Sequence, residues 1–310
     1  MLHINKLSVP QQAKPHPYMK QVYQLLDNQQ NQDLSWVDGT LVQSFRSTQD
    51  SRYGLPSWIW FNISQLKPSM TVAELVLLRK TLHPEPLSIS VSVYSISPRT
   101  GNLSMSGPLV EQLLALDQLP PSGYDVFDVS AALTHYQPRP EVLGFQLHYG
   151  DESGSLVLHE ALTQSFYCLN TSSISQPLLV AYRAKPKGLH QQDQRAIAQS
   201  SERKQRLYCR SGYRNQPYQR SMKQSNANST CRLHSHYVDV RKSGLGQWIL
   251  QPSVFSISYC SSICTAQKLS TLTVMYRHGT NDFIQKLKDF RAESCVCQAG
   301  KERKKQQKHN

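Results

Sequence analysis

The sequence lacks any run of about 20 apolar residues, the length that a membrane-spanning helix requires. Its N-terminal residues also lack the apolar stretch that a signal peptide needs. Charged residues make up only 18% of the 310 positions, whereas Ser, Gln and Pro are plentiful, which favours a mainly β, loop-rich protein over a helical bundle. The sequence contains no G-x-S-x-G, phosphate-loop or H-E-x-x-H motif, so we expect no enzyme, no cofactor and no metal site.

Cysteine is almost absent from residues 1–206, where Cys168 stands alone. The 104 residues 207–310 contain the other six: Cys209, Cys231, Cys260, Cys264, Cys295 and Cys297. Charge divides at the same place, because residues 207–310 hold 17 Lys/Arg against 5 Asp/Glu, whereas residues 1–206 hold 17 against 16. Such cysteine density predicts a disulfide framework and therefore a secreted, extracellular protein whose signal peptide is not present in this sequence.

Four N-x-[ST] sequons agree with secretion, although such sequences also arise by chance. The acceptor residues are Asn62, Asn102, Asn170 and Asn228.

The hydrophobic pattern predicts one N-terminal helix followed by a β-rich region. Apolar residues recur at helical spacing in residues 17–29, at Met19, Val22, Tyr23 and Leu26. Residues 40–183 contain short apolar and alternating segments separated by turn signals, of which "LSISVSVYSIS" is the clearest. We expect a β-sandwich there. Residues 184–206 are rich in Lys, Gln and Ser and are interpreted as an exposed linker.

Two candidate strand pairs follow the linker. "HYVDV" and "WILQPSVFSISYC" flank the glycine turn "RKSGLG", and "STLTVMYRH" and "DFIQKLKDF" flank "HGTND". The cysteines form C-x3-C and C-x-C pairs, each at the end of a strand-like segment. Disulfides would stabilise so small and extended a unit by roughly 2–5 kcal/mol each. Residues 298–310 form a basic tail.

The segment "CRLHSHYVDVRKSGLGQWILQPSVFSISYCSSIC" resembles the first finger of a mature transforming growth factor-β superfamily ligand. "KLSTLTVMYRHGTNDFIQKLKDFRAESCVC" resembles the second finger. Upstream, "PYMKQVYQLL", "DGTLVQSFRS", "WFNISQL", "AELVLLRK" and "VFDVSAAL" are similar, in the same order, to prodomains of the bone morphogenetic protein and nodal branch. The resemblance spans roughly residues 17–297. It implies a prodomain in residues 1–183 and a two-fingered cystine-knot growth-factor domain in residues 207–297.

The resemblance gives "RKQR" a specific interpretation. These residues, Arg203, Lys204, Gln205 and Arg206, match the R-x-x-R pattern of furin-like convertases, whose acidic clefts pair with arginine. A basic surface patch is the alternative. The tetrapeptide lies in the linker at the charge boundary, which favours cleavage and a mature chain of residues 207–310.

By position, the resemblance implies bridges from Cys260 to Cys295 and from Cys264 to Cys297. The family partner of Cys231 is absent here, as are the chain-linking cysteine and the wrist helix, and Cys209 is a possible substitute partner. Ser262 replaces a family glycine, and its side chain would crowd a threaded bridge. Two explanations stay open, namely a lost exon in the gene model and a divergent ligand. If the sequence is real as written, we expect impaired receptor binding by residues 207–310.

The resemblance also implies the partners. We expect type I and type II serine/threonine kinase receptors, SMAD signalling, the prodomain itself and a homodimer. Candidate receptor contacts, which could instead only pack the thin sheet, are Trp248, Phe255, Tyr259, Leu272 and Tyr276. The helix at residues 17–29 is interpreted as covering the fingers in the proform, or else as packing on its own domain.

Three alternatives stand beside this interpretation. The chain could be a non-signalling antagonist or defective family member. Zinc could be held by Cys231, His234, His236, Cys260 and Cys264, although their spacing matches no usual zinc pattern. The basic C-terminal segment could bind a polyanion, for which heparan sulfate is favoured over nucleic acid because no nucleic-acid recognition motif accompanies it. A solvated tail is an equally good interpretation.

Overall fold

The computed structural model describes residues 14–28, 39–49, 58–99, 102–135, 139–151, 154–155, 158–185, 232–261 and 264–297. Residues 14–185 are called the N-terminal unit here, and residues 232–297 the C-terminal unit. The convertase tetrapeptide, the sequon at Asn228, Cys209, Cys231 and the basic tail lie outside the described residues. Within the part that the structure describes, no helix combines the length and the apolar character needed to cross a membrane.

The predicted N-terminal helix is present as α1, Pro17–Asn28. All four residues of its predicted apolar face are buried. Among the described residues of the N-terminal unit, two short helices follow it, α2 at Ala131–His135 and α3 at His159–Phe166.

Strands are the predominant secondary structure in the described part of both units. In the N-terminal unit they are β1 (Thr40–Thr48), β2 (Ile59–Asn62), β3 (Val72–Leu78), β4 (Ser88–Arg99), β5 (Asn102–Ala115), β6 (Tyr124–Asp128), β7 (Val142–Asp151), β8 (Gly154–Ser155) and β9 (Leu178–Tyr182). In the C-terminal unit they are β10 (Leu233–Asp239), β11 (Ile249–Gln251), β12 (Val254–Cys260), β13 (Cys264–His278) and β14 (Asn281–Cys297).

The N-terminal unit is built from two strand layers. β6, β3, β9 and β1 are neighbours in one layer, and β2, β7, β4 and β5 in the other. The end of β1 also pairs with β2, which connects the layers. A core that includes Phe45, Phe61, Leu75, Val91 and Phe145 lies between them. The mainly β prediction, with an N-terminal helix, is therefore confirmed.

The layer that contains β3 and β9 is buried on both faces. Leu75 and Leu77 of β3 point into the core between the layers, whereas Val76 and Leu78 point into a second core beneath α1. This double burial explains why "VAELVLL" and "LLVAY" are continuous apolar runs with little polar alternation. The second core is central to the candidate site.

The C-terminal unit consists of two strand pairs and a short addition. β13 and β14 form a long antiparallel hairpin, and β10 pairs with β12. The predicted pairing of "HYVDV" with "WILQPSVFSISYC" is present in part: β12 pairs with β10, whereas β11 pairs with β13. Pro252 separates β11 from β12, since it has no N–H with which to continue a ladder.

Candidate functional site

The candidate site is the contact between the two units, which is a continuous strand pairing. β1 of the N-terminal unit lies antiparallel to β14 of the C-terminal unit, with Val42 opposite Ile284 and Ser44 opposite Asp282. Backbone hydrogen bonds of this kind satisfy the polar edge of a strand that would otherwise face solvent or another chain. The hairpin is thus docked onto the N-terminal sheet by main-chain pairing.

Gly39 begins this pairing at close range. The Lys286 N–H donates to the Gly39 carbonyl at 3.0 Å. Gly39 adopts φ +64°, and a Cβ at this position would overlap the Lys286 carbonyl oxygen. Both features require glycine, because other residues disfavour positive φ and carry a Cβ. The glycine of the predicted "DGT" turn therefore lies at a close approach between the backbones of the two units.

A buried carboxylate holds charges from both units together. Asp282, only 1% exposed, accepts from Arg277 Nε at 2.6 Å and from the Arg277 terminal NH2 group at 3.0 Å. Arg46 of β1 approaches the second oxygen at 3.5 Å. Burial lowers the pKa of Arg46, and the neighbouring Asp282 carboxylate opposes that shift. Because an arginine stays protonated, this cluster is one anion shared by two cations.

Helix α1 covers the second core, to which both units contribute. Met19 and Leu26 of the helix belong to the same buried cluster as Met275 and Ile284 of the long hairpin. The Tyr23 hydroxyl donates to the Thr273 carbonyl at 3.1 Å. Val180 and Tyr182 of β9 complete that core from the N-terminal side. The helix therefore covers the hairpin and packs on its own unit as well, so both interpretations of the amphipathic face hold.

His16 lies fully buried at the start of α1, next to the charged cluster. Its Nδ1 accepts the Tyr18 N–H at 3.1 Å, so Nε2 carries the proton and donates to the Gln176 carbonyl at 3.0 Å. Burial, and then the charges of Arg46 and Arg277, lower the pKa of His16 to about 3. A neutral imidazole is thus built into the contact between the units.

We expect acid to weaken this contact. Protonation of His16 has a pKa of about 3 in the folded chain and roughly 6.5 when unfolded. The neutral imidazole of His16 therefore contributes its full stabilisation of the folded chain above pH 6.5, and this stabilisation is lost as the pH falls towards 3. At pH 5 the folding equilibrium is less favourable than at neutral pH by roughly 30-fold, which is about 2 kcal/mol of unfolding free energy. Urea unfolding at pH 7.5, 6 and 5 measures it.

The matched pair for this pH series is His16→Gln and His278→Gln. The first should flatten the fall in unfolding free energy between pH 7.5 and 5, whereas the second, at an exposed residue of the β13–β14 turn, should leave it unchanged. Equal slopes for His16→Gln and the parent chain would contradict the assignment.

A disulfide joins the two strand pairs of the C-terminal unit. Cys260 at the end of β12 is bonded to Cys295 of β14, as the family resemblance implied. Cys264 is also disulfide-bonded and has Cys297 as its Cα partner across the hairpin, so the bridge between them stays a prediction that the register supports. A small core of Val240, Phe255, Leu272 and Val274 lies between the strand pairs. Two of the cysteines considered as zinc ligands are therefore engaged in disulfides.

The candidate receptor contacts divide by exposure. Phe255 and Leu272 are buried in the small core, where they pack the thin sheet, and Tyr276 stacks on Phe283 at 5.2 Å between ring centroids. Trp248 and Tyr259 are each 49% exposed. The exposed pair is better placed for binding, but a receptor role for any of these residues stays a prediction.

Tyr259 is part of an exposed aromatic patch on β10 and β12. His234 and His236 stack on its ring, with centroid distances of 5.4 Å and 5.8 Å. Ile257, opposite His236 in the register, is exposed beside them. The two histidines are thus surface strand residues, as the sequence suggested.

Two of the sequons have accessible acceptors. Asn62 and Asn170 are exposed, and each accepts from the backbone N–H and hydroxyl of the serine two residues later, Ser64 or Ser172. Asn102 begins β5. Glycosylation at these sites stays a prediction.

Sequence reasoning missed the residues that join the two units. Asp282 and Gly39 were taken only as parts of turns. His16 lies in residues 1–17, whose polar, proline-containing sequence predicts disorder, and that prediction was wrong for His16, which is buried and hydrogen-bonded. A signal does exist, since an acidic residue at the start of a basic, apolar hairpin requires a cationic partner once it is buried. Nothing in the sequence says which arginine supplies it.

The fold of the C-terminal unit and its contact with the N-terminal unit indicate the structural class of this protein. The C-terminal unit is a small, extended β domain that is joined by disulfides and docked on a larger β-sandwich. A family model, the transforming growth factor beta like domain, matches residues 230–269, which include β10, β12 and the start of β13. This match supports membership of the transforming growth factor-β superfamily and a growth-factor function, and family members of this kind are growth factors, not enzymes. No curated protein matches the chain.

Proposed function

We propose that the chain is a secreted growth-factor precursor whose C-terminal domain binds type I and type II serine/threonine kinase receptors and triggers SMAD signalling. The N-terminal unit is then the prodomain, and cleavage after Arg206 by a furin-like convertase separates the two. The observation that carries the proposal is the C-terminal unit, in which a disulfide joins two strand pairs and which contains all but the first two residues of the family match. The order of motifs upstream supports the bone morphogenetic protein and nodal branch.

The contact between the units supports a shielding role for the prodomain. β1 occupies the edge of β14, and α1 covers Met275 and Ile284. A free domain would expose this strand edge and this apolar face, which is the kind of surface that binds or aggregates. An electrostatic interaction with heparan sulfate fits the same proposal, because residues 207–310 carry a net charge of +12. A homodimer of the mature domain belongs to the proposal through the family resemblance.

A second candidate function is antagonism. β12 ends at Cys260 and β13 begins at Cys264, so the three residues between them cannot form the wrist helix that the resemblance implies for active ligands. Without that helix the domain would occupy one receptor type without bridging two. The same interval contains no additional cysteine for linking two chains.

The test is receptor activation in cells that carry both receptor types. The chain is expressed with a supplied signal peptide, processed, and assayed for SMAD phosphorylation. Phosphorylation establishes the ligand, whereas silence combined with competition against an active ligand establishes the antagonist. Silence without competition would contradict both.

We expect Trp248→Ala to reduce receptor binding at least tenfold, because exposed tryptophans are frequent energetic anchors of interfaces. Its backbone is fixed on β13, since the Arg277 N–H donates to the Trp248 carbonyl at 2.8 Å, so the fold should survive. Leu269→Ala, at a 43% exposed position of β13 in the same C-terminal unit, is the control and should bind normally. Surface plasmon resonance with immobilised receptor ectodomains measures both, and equal affinities would exclude Trp248 from the interface.

A further inference from the structure

A cavity of about 280 Å³ lies in the N-terminal unit, where β1, β2 and α3 meet. Small-ligand pockets usually measure roughly 300–1,000 Å³, so this cavity suits a small ligand, such as a single ring with its substituents. The indoles of Trp58 and Trp60 line it together, since side chains two residues apart on an extended chain share a face. The proposed function uses neither tryptophan.

The cavity wall contains a buried hydroxyl without a partner. Ser47, near the end of β1, is 8% exposed and lines the cavity. Its N–H donates to the Pro177 carbonyl at 3.0 Å, which fixes the backbone, but its Oγ has no hydrogen-bond partner among the described residues. Because an unpaired buried hydroxyl is unfavourable, such a group in a cavity wall indicates a contact for a polar ligand.

Helix α3 supplies a negative charge to the cavity. Glu160 and Gln164 are one helical turn apart, and Gln164 Nε2 donates to Glu160 Oε1 at 3.0 Å. Glu160 is the only charged residue among the described residues that line the cavity. A carboxylate repels phosphate, sulfate and other anions. Carboxylate and amide oxygens accept hydroxyl protons, so the cavity favours a neutral ligand that carries hydroxyl groups, or else a cation.

The arrangement of the two indoles favours the neutral ligand. Cations are held best where several ring faces surround the charge. Trp60 is only 4% exposed, and its ring centre lies 6.4 Å from that of Trp58 with 38° between the planes, so the two rings form no cage. Trp58 is half-buried and offers a single face. A sugar ring matches that face, because its C–H groups are attracted to an aromatic ring while its hydroxyls form hydrogen bonds.

We propose that this cavity binds a neutral sugar ring, which stacks on Trp58 and forms hydrogen bonds with Ser47 and Glu160. The site lies entirely in the N-terminal unit and does not depend on receptor binding by the C-terminal unit.

Two sources can supply the sugar with the same chemistry. Leu169 and Thr171 line the cavity and flank Asn170, an exposed sequon acceptor, so a glycan on Asn170 would begin beside the cavity. A tethered sugar is present at a millimolar effective concentration, at which even weak stacking fills a site. A glycan of another molecule is the second source. Only the first source rests on the proposed function, because it requires secretion.

The first arm of the test measures binding of free sugars to the full chain, secreted with a supplied signal peptide. Ser172→Ala removes the sequon but keeps the backbone N–H that Asn170 accepts at 2.9 Å. The probes are N-acetylglucosamine and mannose, and saturation-transfer NMR gives their dissociation constants. We expect a millimolar constant for at least one of them. Binding of neither sugar would overturn the proposal, as would binding of tetramethylammonium in their place.

Substitutions in the same background locate the sugar. Trp58→Ala should weaken binding at least tenfold, whereas Trp248→Ala, at an exposed tryptophan of the C-terminal unit, should leave it unchanged. Ser47→Ala should weaken binding about fivefold, the effect of one hydrogen bond. It should not destabilise the sugar-free chain, because it removes a hydroxyl without a partner. If Trp58→Ala does not fold, Ser47→Ala decides, and an affinity equal to that of the parent chain excludes this cavity.

The second arm distinguishes the two sources. The parent chain, with its sequon intact, is treated with an endoglycosidase, and mass spectrometry follows the loss of the glycan from Asn170. Release at least tenfold faster in Trp58→Ala than in the parent chain and in Trp248→Ala assigns the cavity to the glycan on Asn170. Equal rates, together with free-sugar binding in the first arm, assign it to a glycan of another molecule. If Asn170 carries no glycan, the source that rests on secretion fails, and the first arm still decides the sugar site.

Discussion

Asp282→Asn should destabilise the contact between the two units by about 3 kcal/mol, which is roughly 100-fold in its equilibrium. The substitution keeps the size of the side chain but removes the carboxylate charge that Arg46 and Arg277 share. Two guanidinium groups, each about 15% exposed, would then remain close together without an anion. Breaking a buried pair costs more than the pair contributes, because the remaining charge is left desolvated.

Amide hydrogen exchange locates this effect. Exchange should become about 100-fold faster at Ile284, which is paired with β1, and at Lys286, whose N–H donates to the Gly39 carbonyl. The control is Asp289→Asn, on the same strand at an exposed position with φ +50°, a conformation that asparagine accepts as readily as aspartate. Unchanged exchange in Asp282→Asn would show that the carboxylate does not hold the units together.

Local sequence patterns predicted the strands well because the buried face of a strand requires apolar residues at alternate positions. Ile89, Val91 and Val93 alternate with serines and are buried in β4, whereas Leu87, just before the strand, is 38% exposed. The apolar face of α1 could be predicted equally well, since its apolar residues keep helical spacing over the whole helix. These are properties of a single segment and its neighbours in sequence.

The pairing between strands that are distant in sequence could not be predicted from the sequence. β1 and β14 are separated by more than 200 residues, and no alternation in either strand specifies the other. β12 pairs with β10, whereas β11 pairs with β13. This division depends on Pro252 and on the small core of the C-terminal unit, and neither of them specifies a strand register in the sequence alone. The family resemblance supplied the Cys260–Cys295 bridge, but it could not supply a partner for Cys168, which lies outside the matched finger motifs.

Gly39→Ala is expected to separate β1 from the long hairpin at its first contact. The new Cβ would meet the Lys286 carbonyl oxygen, which belongs to the backbone and cannot rotate away. The strands would have to part, and the hydrogen bond from the Lys286 N–H to the Gly39 carbonyl would be lost. With the strain of a positive φ included, we expect a loss of about 2–3 kcal/mol.

Gly279→Ala isolates the part of this effect that comes from the clash. Gly279 has φ +62°, nearly that of Gly39, but a Cβ there meets no atom within 4 Å. Its substitution should therefore cost only the backbone strain, about 1 kcal/mol. Urea unfolding of both variants, with hydrogen exchange at Lys286, measures the difference. If the two substitutions cost the same, the close approach of Gly39 to β14 contributes nothing, and the docking depends on the Asp282 cluster and the core beneath α1 alone.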